Sequence, residues 1–189
     1  MSSEDISKSY EGTHAFLSPS QPAWLRYTES HLLDMYRQQS AQEKGTRLHA
    51  WAEETIKLGI WQKQRTNNML YNYVNDAIGF GMEPEKFLFH TKYCYGTADT
   101  IIFKKGILRI HDLKTGVTKP HDDQLKVYAA LWCLSNQVDP EKIKIICRFY
   151  QRQECREFQP TGEEIRGIMN VIIAWEKILE NEDGGGLLL

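Results

Sequence analysis

Ile107-Leu108-Arg109-Ile110-His111-Asp112-Leu113-Lys114 is the segment of this 189-residue chain from which its architecture can best be predicted. Its apolar, β-branched residues predict a strand, and a strand with such a run is expected near the centre of a sheet. Because side chains alternate along a strand, Asp112 and Lys114 should share one face. Charged residues are rare on central strands. The pair is therefore either a buried structural ion pair or part of a site in which a carboxylate holds a cation beside an ammonium.

The residues on both sides of this strand predict one domain of the α/β (mixed α+β) class, with a central sheet flanked by helices. Capping boxes at Ser40-Ala41-Gln42-Glu43 and Thr161-Gly162-Glu163-Glu164 are expected to open two of the helices. The domain is expected to span 18–180, between a flexible N-terminal segment (1–17) and a flexible C-terminal tail (181–189). The predicted helices begin near 20, 40, 66, 122 and 161, and the predicted strands cover 86–95, 97–103, 107–113, 142–150 and 154–159.

The composition is that of an ordinary globular protein, with a formal net charge of −2. It contains no apolar run near the ~20 residues of a membrane span, and the polar N-terminus lacks a signal peptide's apolar stretch. A cytoplasmic protein without a membrane partner is therefore expected. A near-neutral chain can still carry a local basic groove for nucleic acid. The four cysteines form no Cys-x-x-Cys pair, which favours reduced core thiols over a zinc site.

Other polar positions could join Asp112. His49 and Glu53 stand four residues apart in a predicted helix, where an imidazole and a carboxylate can bind a metal or form a solvated pair. Asp99 enters an apolar predicted strand beside that of Asp112, although acids are also common in turns at strand starts. One imidazole and two carboxylates would form a site of mainly hard ligands, suited to Mg²⁺ or Mn²⁺.

The residues after Asp112 supply the rest of a hydrolytic site. A bound cation would activate a water and neutralise charge on a phosphate. Lys114 could position or activate that water, or stabilise the transition state. Gln124 and Tyr128, four residues apart on the next predicted helix, could hold this lysine or a phosphate; an exposed amphipathic face is the alternative. Together these parts describe metal-dependent hydrolysis of a phosphodiester.

The ordered motifs resemble the RecB-type branch of the PD-(D/E)XK nuclease superfamily, over roughly residues 18–180. That branch is marked by Gly-x-x-x-His-x-x-x-Glu, Gly-x-x-Asp, Asp-x-Lys and Gln-x-x-x-Tyr. The Pro of the superfamily's name is absent, since Ala98 precedes Asp99. The matching positions are Gly45, His49 and Glu53, Gly96 and Asp99, Asp112 and Lys114, and Gln124 and Tyr128.

The resemblance implies a restriction-endonuclease-like core, that is, a mixed sheet flanked by helices. It implies one or two Mg²⁺ or Mn²⁺ ions, with Glu53 in support of the ligands. Some relatives carry four cysteines around the domain for an iron–sulfur cluster, but the cysteines here do not bracket the motifs in that way, so no cluster is expected. The implied metal ligands are His49, Asp99, Asp112 and the Leu113 carbonyl, and the implied catalytic residues are Asp99, Asp112, Lys114, Gln124 and Tyr128.

The leading hypothesis is a Mg²⁺/Mn²⁺-dependent deoxyribonuclease, an exonuclease acting on DNA ends or single strands. The small size resembles phage exonucleases of recombination, repair and DNA processing, which work in the host cytoplasm, and a recombination or replication protein would be a fitting partner. Two alternatives stay open: a non-catalytic DNA-end-binding or scaffolding subunit, and a structural domain with coincidental residues. Arg47, Lys119 and Lys126 are candidate DNA contacts, with ordinary surface charge as the alternative for each.

Overall fold

The computed structural model describes residues 15–63 and 68–185 of the chain. The chain divides into two compact units, residues 1–46 and residues 47–189. Most of the predicted N-terminal segment and the end of the predicted tail, 186–189, lie outside the described residues. None of the described helices combines the length and the apolarity needed to cross a membrane.

The first unit contains a short 3-10 helix, Pro22–Arg26, and the start of the long helix α1, Glu29–Lys57. Pro22 occupies the first turn of the short helix, where its missing N–H costs nothing. Thr28 precedes α1, and its hydroxyl accepts a hydrogen bond from the His31 backbone N–H at 3.3 Å. The bond satisfies one of the donors that a helix start leaves unpaired.

The predicted helix start at Ser40 is wrong, because Ser40 lies in the middle of α1. In a capping box the Glu43 side chain would turn back to the Ser40 backbone. Here Glu43 instead accepts a hydrogen bond from Gln39 Nε2 at 3.0 Å along the helix surface. The residues from 29 to 44 include no Gly or Pro, so nothing interrupts the helix. Gly45, expected near a helix start, therefore lies well inside α1.

The second unit is built on a five-stranded mixed sheet with the order β1-β2-β3-β4-β5, which confirms the predicted fold class. Only β3 and β4 pair in parallel among these strands. The strands are β1 (Glu83–Thr91), β2 (Cys94–Lys104), β3 (Ile107–Lys114), β4 (Lys144–Gln151) and β5 (Glu154–Phe158). The helices are α2 (Met69–Phe80), α3 (Asp123–Asn136) and α4 (Gly162–Gly185), together with the end of α1.

Apolar clusters cover both faces of the sheet. One joins it to α3 and α4 and contains Leu108 and Ile110 of β3. The other joins it to α2 and the end of α1 and contains Leu113. The alternation follows from the two-residue period of a strand. β3 is thus the buried central strand that its apolar run predicted, and its parallel pairing with β4 brings Lys114 beside Gln151 at the carboxyl ends of both strands.

The predicted strand 86–95 is in fact a hairpin, with β1 and β2 separated by a turn at Lys92-Tyr93. The turn contains neither Gly nor Pro, so the sequence lacks the residues by which turns are usually predicted. The Thr91 hydroxyl accepts a hydrogen bond from the Tyr93 N–H at 3.3 Å and stabilises the turn locally. A change of direction driven by a threonine is a weak sequence signal.

Helices α2 and α4 differ from the predicted helices only at their ends. The predicted third helix began near 66, but residues 64–67 lie outside the described residues, and α2 begins at Met69 behind an Asn68 cap. The capping box that opens α4 is confirmed: Thr161 and Glu164 side chains accept from each other's backbone N–H at 3.1 and 2.8 Å. α4 extends past the predicted end near 179 to Gly185.

Candidate metal centre

Three side chains from three elements of the second unit converge at one point. His49 comes from the end of α1, Glu85 from β1 and Asp99 from β2. Each offers a ligand atom, and these atoms lie within 4.8 Å of one another. Nδ1 of His49 is 3.5 Å from Oδ2 of Asp99. One imidazole and two carboxylates at this spacing fit a divalent cation that accepts both nitrogen and oxygen ligands.

Glu85 has an unusual backbone conformation for a strand residue. Its φ is +48°, in the left-handed region that non-glycine residues rarely adopt. Pairing between β1 and β2 continues on both sides of it, with Pro84 opposite Thr100 and Lys86 opposite Ala98, so Glu85 faces Asp99 across the hairpin. Strain of this kind is commonest at functional sites. The conformation therefore supports a role for Glu85 beyond the pairing of two strands.

The backbone of β3 fixes the other two ligands. The Leu113 N–H donates a hydrogen bond of 2.8 Å to Asp99 Oδ2. The Leu113 backbone also lies near the His49 imidazole, where it opposes the larger effect of burial on the imidazole pKa. Leu113, predicted to contribute its carbonyl, thus lies in contact with two of the three ligand residues.

Asp112 and Lys114 form the second half of the site, on the same face of β3 as predicted. Asp112 is 2% exposed. Lys114 Nζ donates to Asp112 Oδ1 at 3.1 Å and lies 2.9 Å from Oδ2. Oδ2 nevertheless has no hydrogen-bond partner within the part of the chain that the structure describes. The ammonium charge offsets part of the cost of burying this oxygen, and a bound cation would offset more of it.

Helix α3 holds Lys114 from the other side. Gln124 Oε1 accepts a hydrogen bond from Lys114 Nζ at 2.8 Å. Burial raises the pKa of the Tyr128 phenol, one turn further along the helix, and Gln124 beside it opposes this rise. The Tyr128 ring lies over Gly96, where an added Cβ would be 3.2 Å from ring atom Cε1. The glycine of the Gly-x-x-Asp motif thus leaves room for the tyrosine of the last motif.

The carboxylates of the site bind protons more tightly than usual. Burial, and then the charge of Asp112, raise the pKa of Asp99 to about 7. Burial also raises the pKa of Asp112, although Lys114 opposes this, and burial and then Glu53 raise the pKa of Glu85. Burial lowers the pKa of His49, so its imidazole is neutral near pH 7 and free to coordinate. These shifts follow first from burial of the acids, and a nearby positive charge such as a bound cation would oppose them.

Binding of Mn²⁺ should therefore depend on pH. Because the Asp99 pKa is about 7, a proton occupies this carboxylate below that value and must leave when the cation binds. We expect affinity to rise roughly tenfold per pH unit below 7, and to level off above it. Calorimetric titration at pH 6, 7 and 8, in buffers of different ionisation enthalpy, measures both the affinity and the released proton. An affinity that stays constant from pH 6 to 8 would contradict this expectation.

The structure brings most of the predicted site residues together and leaves others at its margin. Glu53, expected in support of the ligands, forms an ion pair of 2.5 Å with Lys57 and acts on Glu85 through its charge. Lys126, a predicted DNA contact, is paired with Glu164 of α4 at 2.9 Å. Arg47 is exposed on α1. The residues that do converge are His49, Asp99, Asp112, Leu113, Lys114, Gln124 and Tyr128.

Glu85 is the residue that sequence reasoning missed. The first strand that the sequence predicts starts at Lys86, one residue after it. Glu85 stands two residues after Glu83 and two before Phe87, so a regular strand would place it on the same face as Glu83, Phe87 and Phe89, which are all exposed. Nothing in the sequence separates Glu85 from the neighbouring Glu83, and only the hairpin with β2 places it opposite Asp99.

Replacing Glu85 tests its role directly. We expect Glu85→Gln to weaken Mn²⁺ binding at least tenfold, about 1.4 kcal/mol, because one charged ligand is lost. Glu83→Gln, an exposed change two residues away on the same strand, is the matched control and should bind as the unmodified protein does. Calorimetric titration at pH 8 compares the three. Equal affinities for all of them would remove Glu85 from the ligand set.

Comparison with known proteins does not identify a relative. No family model matches the chain, and no curated protein or solved structure matches it significantly.

Proposed function

We propose that the second unit is a Mg²⁺- or Mn²⁺-dependent deoxyribonuclease, an exonuclease acting in DNA recombination, repair or phage DNA processing. The observation that carries the proposal is the convergence of His49, Glu85 and Asp99 next to a buried Asp112–Lys114 pair. The resemblance to RecB-type nucleases supports it through the motif residues. A metal centre alone would suit many functions, and the adjoining lysine is what favours hydrolysis of a phosphodiester.

The residues of the chain divide the work. When bound, the cation would lower the pKa of a water and neutralise charge on the scissile phosphate. His49, Glu85 and Asp99 would hold it, and Asp112 would complete the ligands with Oδ2, which accepts no hydrogen bond among the described residues but lies 2.9 Å from Lys114 Nζ. Burial raises the pKa of both Asp99 and Asp112, and a bound cation would favour their ionised forms.

Lys114 provides a fixed positive charge beside the ligands. Its ammonium donates to Asp112 and to Gln124, which use two of its three N–H groups. The third can donate to the attacking water or to a phosphate oxygen. Because Asp112 and Gln124 hold the ammonium before substrate arrives, little reorganisation is needed when charge develops on the phosphate. Tyr128 lies beside Gln124 and would limit its movement.

End-labelled linear DNA and closed circular DNA, each incubated with Mg²⁺, Mn²⁺ or EDTA, test the proposal. We expect cleavage of the linear substrate with Mg²⁺ or Mn²⁺, none with EDTA, and no cleavage of the circle. Cutting of the circle would show an endonuclease. Binding without cleavage across metals and substrates would contradict the proposal and favour a non-catalytic DNA-end-binding subunit.

A further inference from the structure

A pair of adjoining cavities opens beside Lys114, at the carboxyl ends of β3 and β4. The smaller, of about 380 Å³, is lined by Lys114, Gln124 and the loop that follows β3. The larger, of about 830 Å³, continues past that loop to the β4–β5 turn. Lys119, Pro120 and Gln151 line both. The two cavities thus form one groove that leads away from the metal centre on its lysine side.

The groove has a fixed shape because two side chains tie its loop to the sheet. Gln151 Nε2 donates hydrogen bonds to the carbonyls of Gly116 and Thr118, at 2.7 and 2.9 Å. Arg156 pairs with Asp122 at 2.5 Å, at the start of α3. These contacts hold the loop at both of its ends, so Lys119 between them extends from a supported backbone.

Arg156 is also held by the floor of the groove. Its guanidinium lies 5.1 Å from the ring centroid of Phe149 and 5.4 Å from that of Phe158. The two rings stack on each other with centroids 6.0 Å apart. The aromatic contacts and the ion pair with Asp122 together hold the Arg156 side chain in one position.

The groove is cationic although the chain as a whole is not. Its larger part is lined by Lys119, Arg152 and Arg156 and by one carboxylate, Glu154, and the smaller part adds Lys114. Arg156 is paired with Asp122 and Lys114 with Asp112, so the excess of positive charge comes from Lys119 and Arg152. Within the described residues, Lys119 and Arg152 have no ion-pair partner. On a chain of net charge −2 this is a local concentration of positive charge.

We infer that this groove binds the phosphates next to the scissile one, with Lys119 and Arg152 as the phosphate contacts and Gln151 and Arg156 as positioning residues. The inference rests on the proposed function, and it adds the direction in which the bound strand leaves the metal centre: past Lys114 and over the β4–β5 turn. The ligand class is a nucleic-acid phosphate, either inside a strand or at its end. Lys126, tied to α4, takes no part.

The test is equilibrium binding of a fluorescent 15-nucleotide deoxythymidylate, with Ca²⁺ in place of Mg²⁺ so that binding is read without cleavage. We expect the Lys119→Ala/Arg152→Ala protein to bind at least tenfold more weakly than the unmodified protein. The slope of log affinity against log salt should fall by about 0.7 for each lost phosphate contact on a single strand. Lys105→Ala/Lys142→Ala removes two exposed lysines away from the groove and should change neither quantity.

Oligonucleotides with and without a 5′-phosphate separate the two phosphate sources. A loss of affinity on both places an internal phosphate in the groove, and a loss confined to the phosphorylated one places the terminal phosphate there. Unchanged affinity and slope for the groove variant, or no binding by the unmodified protein, would overturn the inference. If binding depends on the groove but no metal supports cleavage, the inference stands and the nuclease proposal fails.

Discussion

Lys114→Met should abolish cleavage, with an expected loss of 10² to 10⁴ in the single-turnover rate. The ammonium sits between Asp112 and Gln124 and carries the positive charge nearest to the metal ligands. Methionine keeps the length of the side chain but offers no N–H to a phosphate or a water. Lys105→Met, on the exposed β2–β3 turn, is the control and should cleave normally.

Loss of the lysine should also lower the stability of the folded protein. Asp112 would be left buried without its cationic partner, which is strongly destabilising for most buried pairs. We expect Lys114→Met to melt at a lower temperature in EDTA. Mn²⁺ should restore much of this stability, because the cation replaces the missing charge. The Asp112→Asn/Lys114→Met protein, which has no unpaired charge, should melt near the unmodified protein and still fail to cleave. Cleavage by this double variant would exclude both residues from catalysis.

Asp99→Asn should stabilise the protein in the absence of metal while removing its response to metal. Burial and the charge of Asp112 raise the pKa of Asp99 to about 7. An acid with a raised folded-state pKa contributes stability at low pH that is lost as pH rises from about 4 to about 7. At pH 8 the ionised carboxylate therefore costs up to roughly 4 kcal/mol, by the free energy of the pKa shift. Asparagine carries no charge, and its carbonyl can still accept the Leu113 N–H.

Urea unfolding at pH 5 and pH 8 in EDTA, and again at pH 8 with Mn²⁺, measures the free energy of unfolding under these three conditions. In EDTA at pH 8 the variant should exceed the unmodified protein by roughly 1–4 kcal/mol, and the difference should shrink at pH 5. With saturating Mn²⁺ the order should reverse, since only the unmodified protein gains binding free energy. Asp34→Asn, an exposed change on α1, should leave all three values alone. A less stable Asp99→Asn protein in EDTA would show that Asp99 serves the fold.

The centre of the fold could be predicted because several neighbouring residues there favour the same structure. The apolar run of β3 predicts a buried strand and the capping box at Thr161 predicts a helix start, and the structure contains both. The mistakes came where one local signal competed with another. Ser40 and Glu43 have the residues of a capping box but lie in an uninterrupted helix, and the β1–β2 turn depends on the hydroxyl of Thr91.

The candidate site divides in the same way. Pairs at fixed spacing on one element, such as Asp112 with Lys114 or Gln124 with Tyr128, could be placed together from strand and helix periods alone. Glu85 could not, because its place depends on a left-handed backbone and on strand pairing. The groove beside Lys114 depends on side-chain contacts across a parallel strand pair, which no local pattern encodes.

The initial cleavage rate of end-labelled linear DNA, measured against Mn²⁺ concentration, tests the central claim most directly. The unmodified protein, Glu85→Gln and Lys114→Met are compared at pH 8. We expect the first to saturate, the second to need at least ten times more Mn²⁺, and the third to stay at least 10²-fold slower at every concentration. No Mn²⁺-dependent cleavage by the unmodified protein, or three superimposable curves, would contradict a metal-dependent nuclease centre at these residues.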